Sequence, residues 1–194
     1  MKEVFAIAAA LLAIAGNLPY LYDILKGRVQ PHPYTWFIWT FVSAIVFFGQ
    51  VAKGAGIGAL PTAASELFTV IIFLFSLKYG FNGATRTDTM FLGLALVGVT
   101  LWPLTGDPML SVIIAVTIDL LAFSPTIRKT WVEPTTETPI LFASNVLRHM
   151  LALLSLQSYN IATTLHSISM ITTNTIMTAI ILLKKTGSPR PFRP

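Results

Sequence analysis

Seven apolar runs leave this chain almost nothing from which to build a water-facing surface. They cover residues 4–25, 33–52, 60–79, 89–104, 109–127, 138–157 and 161–183, each bounded by glycine, proline or clustered charge. A membrane-spanning helix needs about 20 mostly apolar residues, so each run is close to one crossing. Of the 194 residues only 11% are charged and 54% are hydrophobic, whereas about a quarter of a soluble domain is charged. The expectation is an all-α membrane protein of seven transmembrane helices, with little mass outside the bilayer. There is no cysteine, which excludes a disulfide, a thiolate nucleophile and a Cys-ligated metal or cluster.

The basic residues give the orientation, because cytoplasmic loops are enriched in Lys and Arg. One side collects Lys26, Arg28, Lys78, Arg86, Arg128, Lys129, Lys184, Lys185, Arg190 and Arg193; the other has Lys2 and Lys53, and Arg148 lies within a span. This places the N-terminus outside and the C-terminus in the cytoplasm of a multi-pass protein, in a plasma or inner membrane. An Ala-Ile-Ala in the first run resembles a leader-cleavage site, but the apolar run continues to Leu25, so it is read as a span. The net charge of +5 is spread in small groups between spans rather than along one polar face, so nucleic acid is not an expected partner.

Prolines divide the chain into two comparable halves. Pro19 and Pro33 are fourteen positions apart, as are Pro125 and Pro139, and a shift of 106 superposes both pairs along with Lys78 on Lys184. Around the fourth run lie two blocks of three spans, 1–88 and 107–194, with 89–106 as a linking helix. Three is odd, so the extra crossing lets the blocks run parallel, as two three-helix bundles about an axis along the membrane normal. The second block, 107–194, would end in a short basic cytoplasmic tail.

This three-plus-one-plus-three order, with one proline near the cytoplasmic end of the first helix of each triple and another entering the second, resembles the SWEET, SemiSWEET and PQ-loop superfamily. The dipeptides here are Pro19-Tyr20 and Pro125-Thr126, with glutamine in neither half. The resemblance implies a small polar solute as substrate, alternating access between the repeats, and hinge roles for Pro19, Pro33, Pro125 and Pro139. It also implies a substrate-lining asparagine on the third helix of a triple, which Asn174 supplies while Phe68 holds the matching register of the first triple. The alternative for Pro33 and Pro139 is that they merely start helices.

Polar residues within the spans are the candidates for function, because charge inside a bilayer is costly and usually faces a bundle interior or cavity. Asp119 and Arg148 each lie about ten residues, or roughly 15 Å, from the cytoplasmic end of their span. They are expected to form a buried ion pair, unless Arg148 holds an anionic substrate or Asp119 carries a coupling proton. Glu66 has no basic partner at its depth and is either a proton-sensitive group or a carboxyl bonded to neighbours such as Ser65. Thr163, Ser167, Asn174 and Thr178 share one face of the seventh run. Trp36 and Trp39 share a face of the second, with Trp36 read as an interface anchor and Trp39 as a pocket wall. The expected solute site is Asn17, Trp39, Glu66, Asn145 and Asn174.

Other signals carry less. The glycines at 54, 56 and 58 lack the Lys-Ser/Thr of a phosphate loop, and His32, His149 and His166 have no metal-ligand spacing. No lysine stands mid-span in the seventh run to hold a retinal, and no nucleophile and base lie together, so neither a cofactor nor an enzymatic activity is expected. The expected partners are the bilayer and a small polar solute, with a homo-oligomer left open. A receptor or scaffold that does not transport is the competing class, and a lipid-acting enzyme fits least.

Overall fold

A computed structural model describes residues 1–101, 104 and 106–187. Trp102 and Pro103, expected to close the fourth span, and Arg190 and Arg193 of the expected tail lie outside these residues. Among them the chain forms seven α-helices: α1 (Lys2–Leu25), α2 (Pro33–Ala52), α3 (Leu60–Tyr79), α4 (Arg86–Leu101), α5 (Pro108–Val132), α6 (Pro139–Ser155) and α7 (Ile161–Gly187). Short 3-10 turns at Gly56–Ala59 and Pro134–Thr136 join α2 to α3 and α5 to α6. Five helices are long and apolar enough to cross a membrane, α4 and α6 being shorter, and the protein is membrane-embedded.

The helix ends follow from local chemistry. Pro33 and Pro139 are each the first residue of their helix, where a missing N–H costs nothing. Asp107 accepts from the Met109 amide at 2.8 Å to cap α5. Thr85 and Asp88 exchange bonds in a reciprocal capping box before α4, as Asn160 and Thr163 do before α7. Pro19 and Pro125, in contrast, lie inside α1 and α5. There each removes one ladder bond and crowds the preceding turn, which favours a bend. The four prolines are thus two helix starters and two interior breaks.

Large apolar side chains such as Leu11, Leu18, Phe48, Leu67, Leu74, Leu147 and Ile168 point outward, while small and polar ones are buried. This inside-out pattern is what lipid allows, since tails solvate leucine well and helices gain by close backbone approach. α1 shows it plainly: Ala6, Ala9, Ala10, Ala13 and Gly16 form its buried face, and its most extensive neighbour is α6. α1 also packs on α3, α2 on α3 and α5, α5 on α7, and α6 on α7; α4 packs on α5 and α2.

Tyr20, Trp36, Ile72, Phe123, Phe142 and Ile181 belong to one apolar cluster drawn from α1, α2, α3, α5, α6 and α7. It lies toward the end where α1, α3, α5 and α7 finish.

α1 approaches α6 closely at Gly16, where a Cβ would stand 2.2 Å from Ser144 Oγ and 3.0 Å from Ser144 Cβ. Ser144 Oγ donates to the Leu141 carbonyl at 3.0 Å, so turning it away sacrifices a bond. Gly16→Ala is therefore expected to destabilise the fold by about 1–3 kcal/mol, and Ser144→Ala in the same chain to restore part of the loss. Thermal unfolding in detergent checks this; an unchanged Gly16→Ala midpoint contradicts the packing.

Candidate functional site

The interior polar residues converge on one cavity. Asn17 of α1, Trp36, Trp39 and Ser43 of α2, Thr62, Ser65 and Thr69 of α3, Asp119 of α5, Phe142, Asn145 and Arg148 of α6, and His166, Met170 and Asn174 of α7 line it. A volume of about 60 Å³ is open to a water-sized sphere, room for a few waters but well below the roughly 300–1,000 Å³ of a drug-sized site. Among the described residues none from α4 takes part.

Four of the five expected solute-site residues, Asn17, Trp39, Asn145 and Asn174, do line this cavity. Glu66 does not: it is half-buried, packs beside Ser43, and leaves the lining to its neighbours Ser65, Thr62 and Thr69. Its Oε2 is buried without a hydrogen bond. The helical period alone does not exclude it, since Glu66 is only about 40° round the helix from Thr62; its carboxyl instead lies against Ser43 of α2. Trp36 also departs from expectation. It is buried, stacks on Tyr20 with ring centroids 5.6 Å apart, and walls the cavity instead of anchoring at an interface.

The ion pair expected between Asp119 and Arg148 is absent. Both line the cavity, but no ion pair joins them among the described residues. Arg148 instead donates from Nε to Asn145 Oδ1 at 3.0 Å, from Nη1 to the Pro61 carbonyl at 3.5 Å, and from Nη2 to His149 Nε2 at 2.6 Å. Arginine has no acceptor, so His149 Nε2 must offer its lone pair. The His149 proton is then on Nδ1, facing Ser167 Oγ at 3.3 Å. Equal depth along two helices did not bring the two into contact: Arg148 is held by α3 and by its own helix, while Asp119 lies beside Trp39 and its Oδ2 is buried without a hydrogen bond.

Bonding to the backbone fixes the amide orientations. Asn17 Nδ2 donates to Ala13 O at 2.6 Å and Asn174 Nδ2 to Met170 O at 2.8 Å, leaving their carbonyl oxygens as acceptors. Asn145 is reversed, its oxygen engaged by Arg148 and its amide nitrogen left to donate. The cavity thus presents both hydrogen-bond signs beside aromatic walls.

A second polar cluster was missed from the sequence, where its members Arg128 and Lys129 served only as topology signals. Lys129 is fully buried; its ammonium pairs with Glu137 and donates to the Gln30 carbonyl at 2.7 Å. Tyr20 donates to Glu137 Oε2 at 3.0 Å. Arg128 pairs with Asp88, whose Oδ2 also lies 3.6 Å from His32 Nε2. Thr138 donates to Asp23 Oδ2 at 2.7 Å. These residues bind the end of α1, the start of α2, the end of α5 and the approach to α6. The spacing of Lys129 and Glu137 across a proline turn was the available signal.

Compared with family models, with curated proteins and with solved structures, the chain gives no match.

Two outcomes check this geometry. With no cation depending on it, Asp119→Asn should leave thermal stability unchanged or higher, whereas breaking a buried ion pair costs about 3–5 kcal/mol. His149→Phe strips Arg148 of an acceptor and should cost about 1–3 kcal/mol. A sharp loss in Asp119→Asn would reinstate the pair.

His32, outside the spans, adds a pH dependence. Burial pushes its pKa from 6.5 down to about 4, against the pull of Asp88 in the other direction. The unfolded chain then takes up the proton first, so the contribution is complete above pH 6.5 and lost as pH falls toward 4. His32→Asn should flatten a melting-temperature profile across that window; an unchanged profile excludes His32 as the cause.

Proposed function

We propose that the protein is a membrane transporter of a small polar solute, built from two parallel three-helix repeats, residues 1–88 and 107–194, linked by α4. The observation that carries this is the cavity: all six helices outside α4 contribute polar or aromatic side chains to one buried space. The packing supports the repeat. Exchanging α1, α2 and α3 for α5, α6 and α7 turns the α1 to α6 contact into α5 to α2, α2 to α3 into α6 to α7, and α1 to α3 into α5 to α7. Position between repeats is where transporters of this architecture hold substrate.

The state at hand reads as closed toward the end rich in Lys and Arg, taken as cytoplasmic. Between the cavity and that end stand the aromatic cluster of Tyr20, Trp36, Phe123 and Phe142 and then the Lys129–Glu137 pair. Pro19 and Pro125 fall at the same level, next to Tyr20 and to Thr126, which donates to Thr35 Oγ1 at 2.9 Å. In this reading they are the hinges, and Pro33 and Pro139 keep their helix-starting role. Opening requires the buried ionic cluster to part.

The test is flux. Proteoliposomes carrying the full chain should take up a small polar solute from a panel of sugars, amino acids, organic acids and nucleosides, where empty vesicles do not. Asn174→Ala should lower the rate about tenfold or more, the scale of one lost buried hydrogen bond, with a nearly parental melting temperature. Absence of flux across the panel would favour the receptor or scaffold reading.

A further inference from the structure

Resting on that reading of the cavity as a solute site, we propose that its ligand carries a carboxylate, taken by Arg148, with a hydrogen-bond donor on the adjacent carbon for Asp119. The class is a small 2-hydroxy or 2-amino acid anion rather than a neutral sugar.

The first ground is the state of Arg148. It is a buried cation with no acidic partner among the described residues. A guanidinium has five N–H groups, and the three bonds to Asn145, Pro61 and His149 leave two, one on each terminal nitrogen. Every group it touches is neutral: an amide, a backbone carbonyl and an imidazole whose lone pair it occupies. The site fixes the guanidinium in place without cancelling its charge. Two N–H groups on adjacent nitrogens match the two oxygens of a carboxylate, a geometry that lysine's point charge does not reproduce.

The second ground is Asp119 on the same cavity. It is buried beside Trp39, its Oδ2 has no hydrogen bond, and it sits on α5 while Arg148 sits on α6. A buried carboxyl oxygen without a donor needs one, and a hydroxyl or ammonium beside the ligand's carboxylate would supply it. Asn145, which holds Arg148 through its oxygen, adds a free amide donor to the anion end. The acceptor oxygens of Asn17 and Asn174 lie on the same cavity. A cation and an acid held apart on one enclosed space suit a ligand with complementary ends better than a ring of hydroxyls. The small volume also suits a compact acid.

Binding can be read without transport, by thermal shift of the purified full chain at constant ionic strength. Glycolate, glycine, ethylene glycol and chloride are the probes, each titrated separately. Glycolate and glycine should raise the melting temperature in a saturable way, and ethylene glycol and chloride should not. Arg148→Lys should weaken glycolate binding about tenfold or more. Asn145→Asp keeps the Nε bond while supplying an internal counter-ion, so it should raise the basal melting temperature and abolish the ligand shift. That second variant serves if Arg148→Lys does not fold. Equal protection by ethylene glycol or chloride, or an undiminished glycolate shift in Asn145→Asp, overturns the inference. Glucose flux insensitive to glycolate would overturn it while leaving transport intact; glycolate binding without any flux would do the reverse.

Discussion

One buried guanidinium organises the middle of this protein. A charge at membrane depth cannot be left to lipid, so the chain around Arg148 must supply acceptors. It does so from three directions: the Asn145 side chain one turn earlier on α6, the carbonyl of Pro61 at the start of α3, and His149, which passes the bond on to Ser167 of α7. Three helices are thereby fixed in rotation as well as position. Because each acceptor is neutral, the arrangement satisfies hydrogen bonding without neutralising charge. That difference separates this arrangement from a structural ion pair, which is complete in itself.

Small residues let this interior be polar without being loose. Ala9, Ala13 and Gly16 are buried on α1, with Gly16 against Ser144 of α6, and Asn17 lines the same cavity as Asn145 and Arg148. Bulky side chains are displaced outward, where lipid accepts them, and the aromatic residues that remain inside do specific work. Trp36 and Trp39 meet edge to face with centroids 5.0 Å apart, and Trp39 continues to Phe123 and Phe142. This gives the cavity a floor of rings facing the end where the ionic cluster sits.

The helices were legible because the evidence for them is one-dimensional. Length of apolar run and position of proline locate 33–52 and 60–79 to the residue, and proline at the first turn marks α6. Facing is three-dimensional, and there the sequence argument failed. Asp119 and Arg148 share a depth but not a contact, and Glu66 lies behind Ser43 and is not part of the lining. Counting Lys129 by side treated it as solvated, although Glu137 eight residues later offered the partner that lets it be buried. Asn17, Asn145 and Asn174 stand out as amides within greasy runs, and all three line the cavity.

The two kinds of proline explain how such an interior can be both tied and mobile. A proline at a helix start is cheap and sets where the rigid rod begins; one inside removes a backbone bond and concentrates bending at a single turn. Pro125 sits where Thr35 reaches across from α2 to the carbonyl of Ala122 at 2.7 Å, and Pro19 precedes the tyrosine bonded to Glu137. Each interior break thus lies beside a polar contact to a neighbouring element, and not against the apolar core alone. Contacts of that kind can be exchanged for water or for one another at modest net cost, whereas prising apart a close-packed apolar interface cannot. Bending confined to those two turns would leave the Arg148 assembly, built on the unbroken parts of α3, α6 and α7, unchanged.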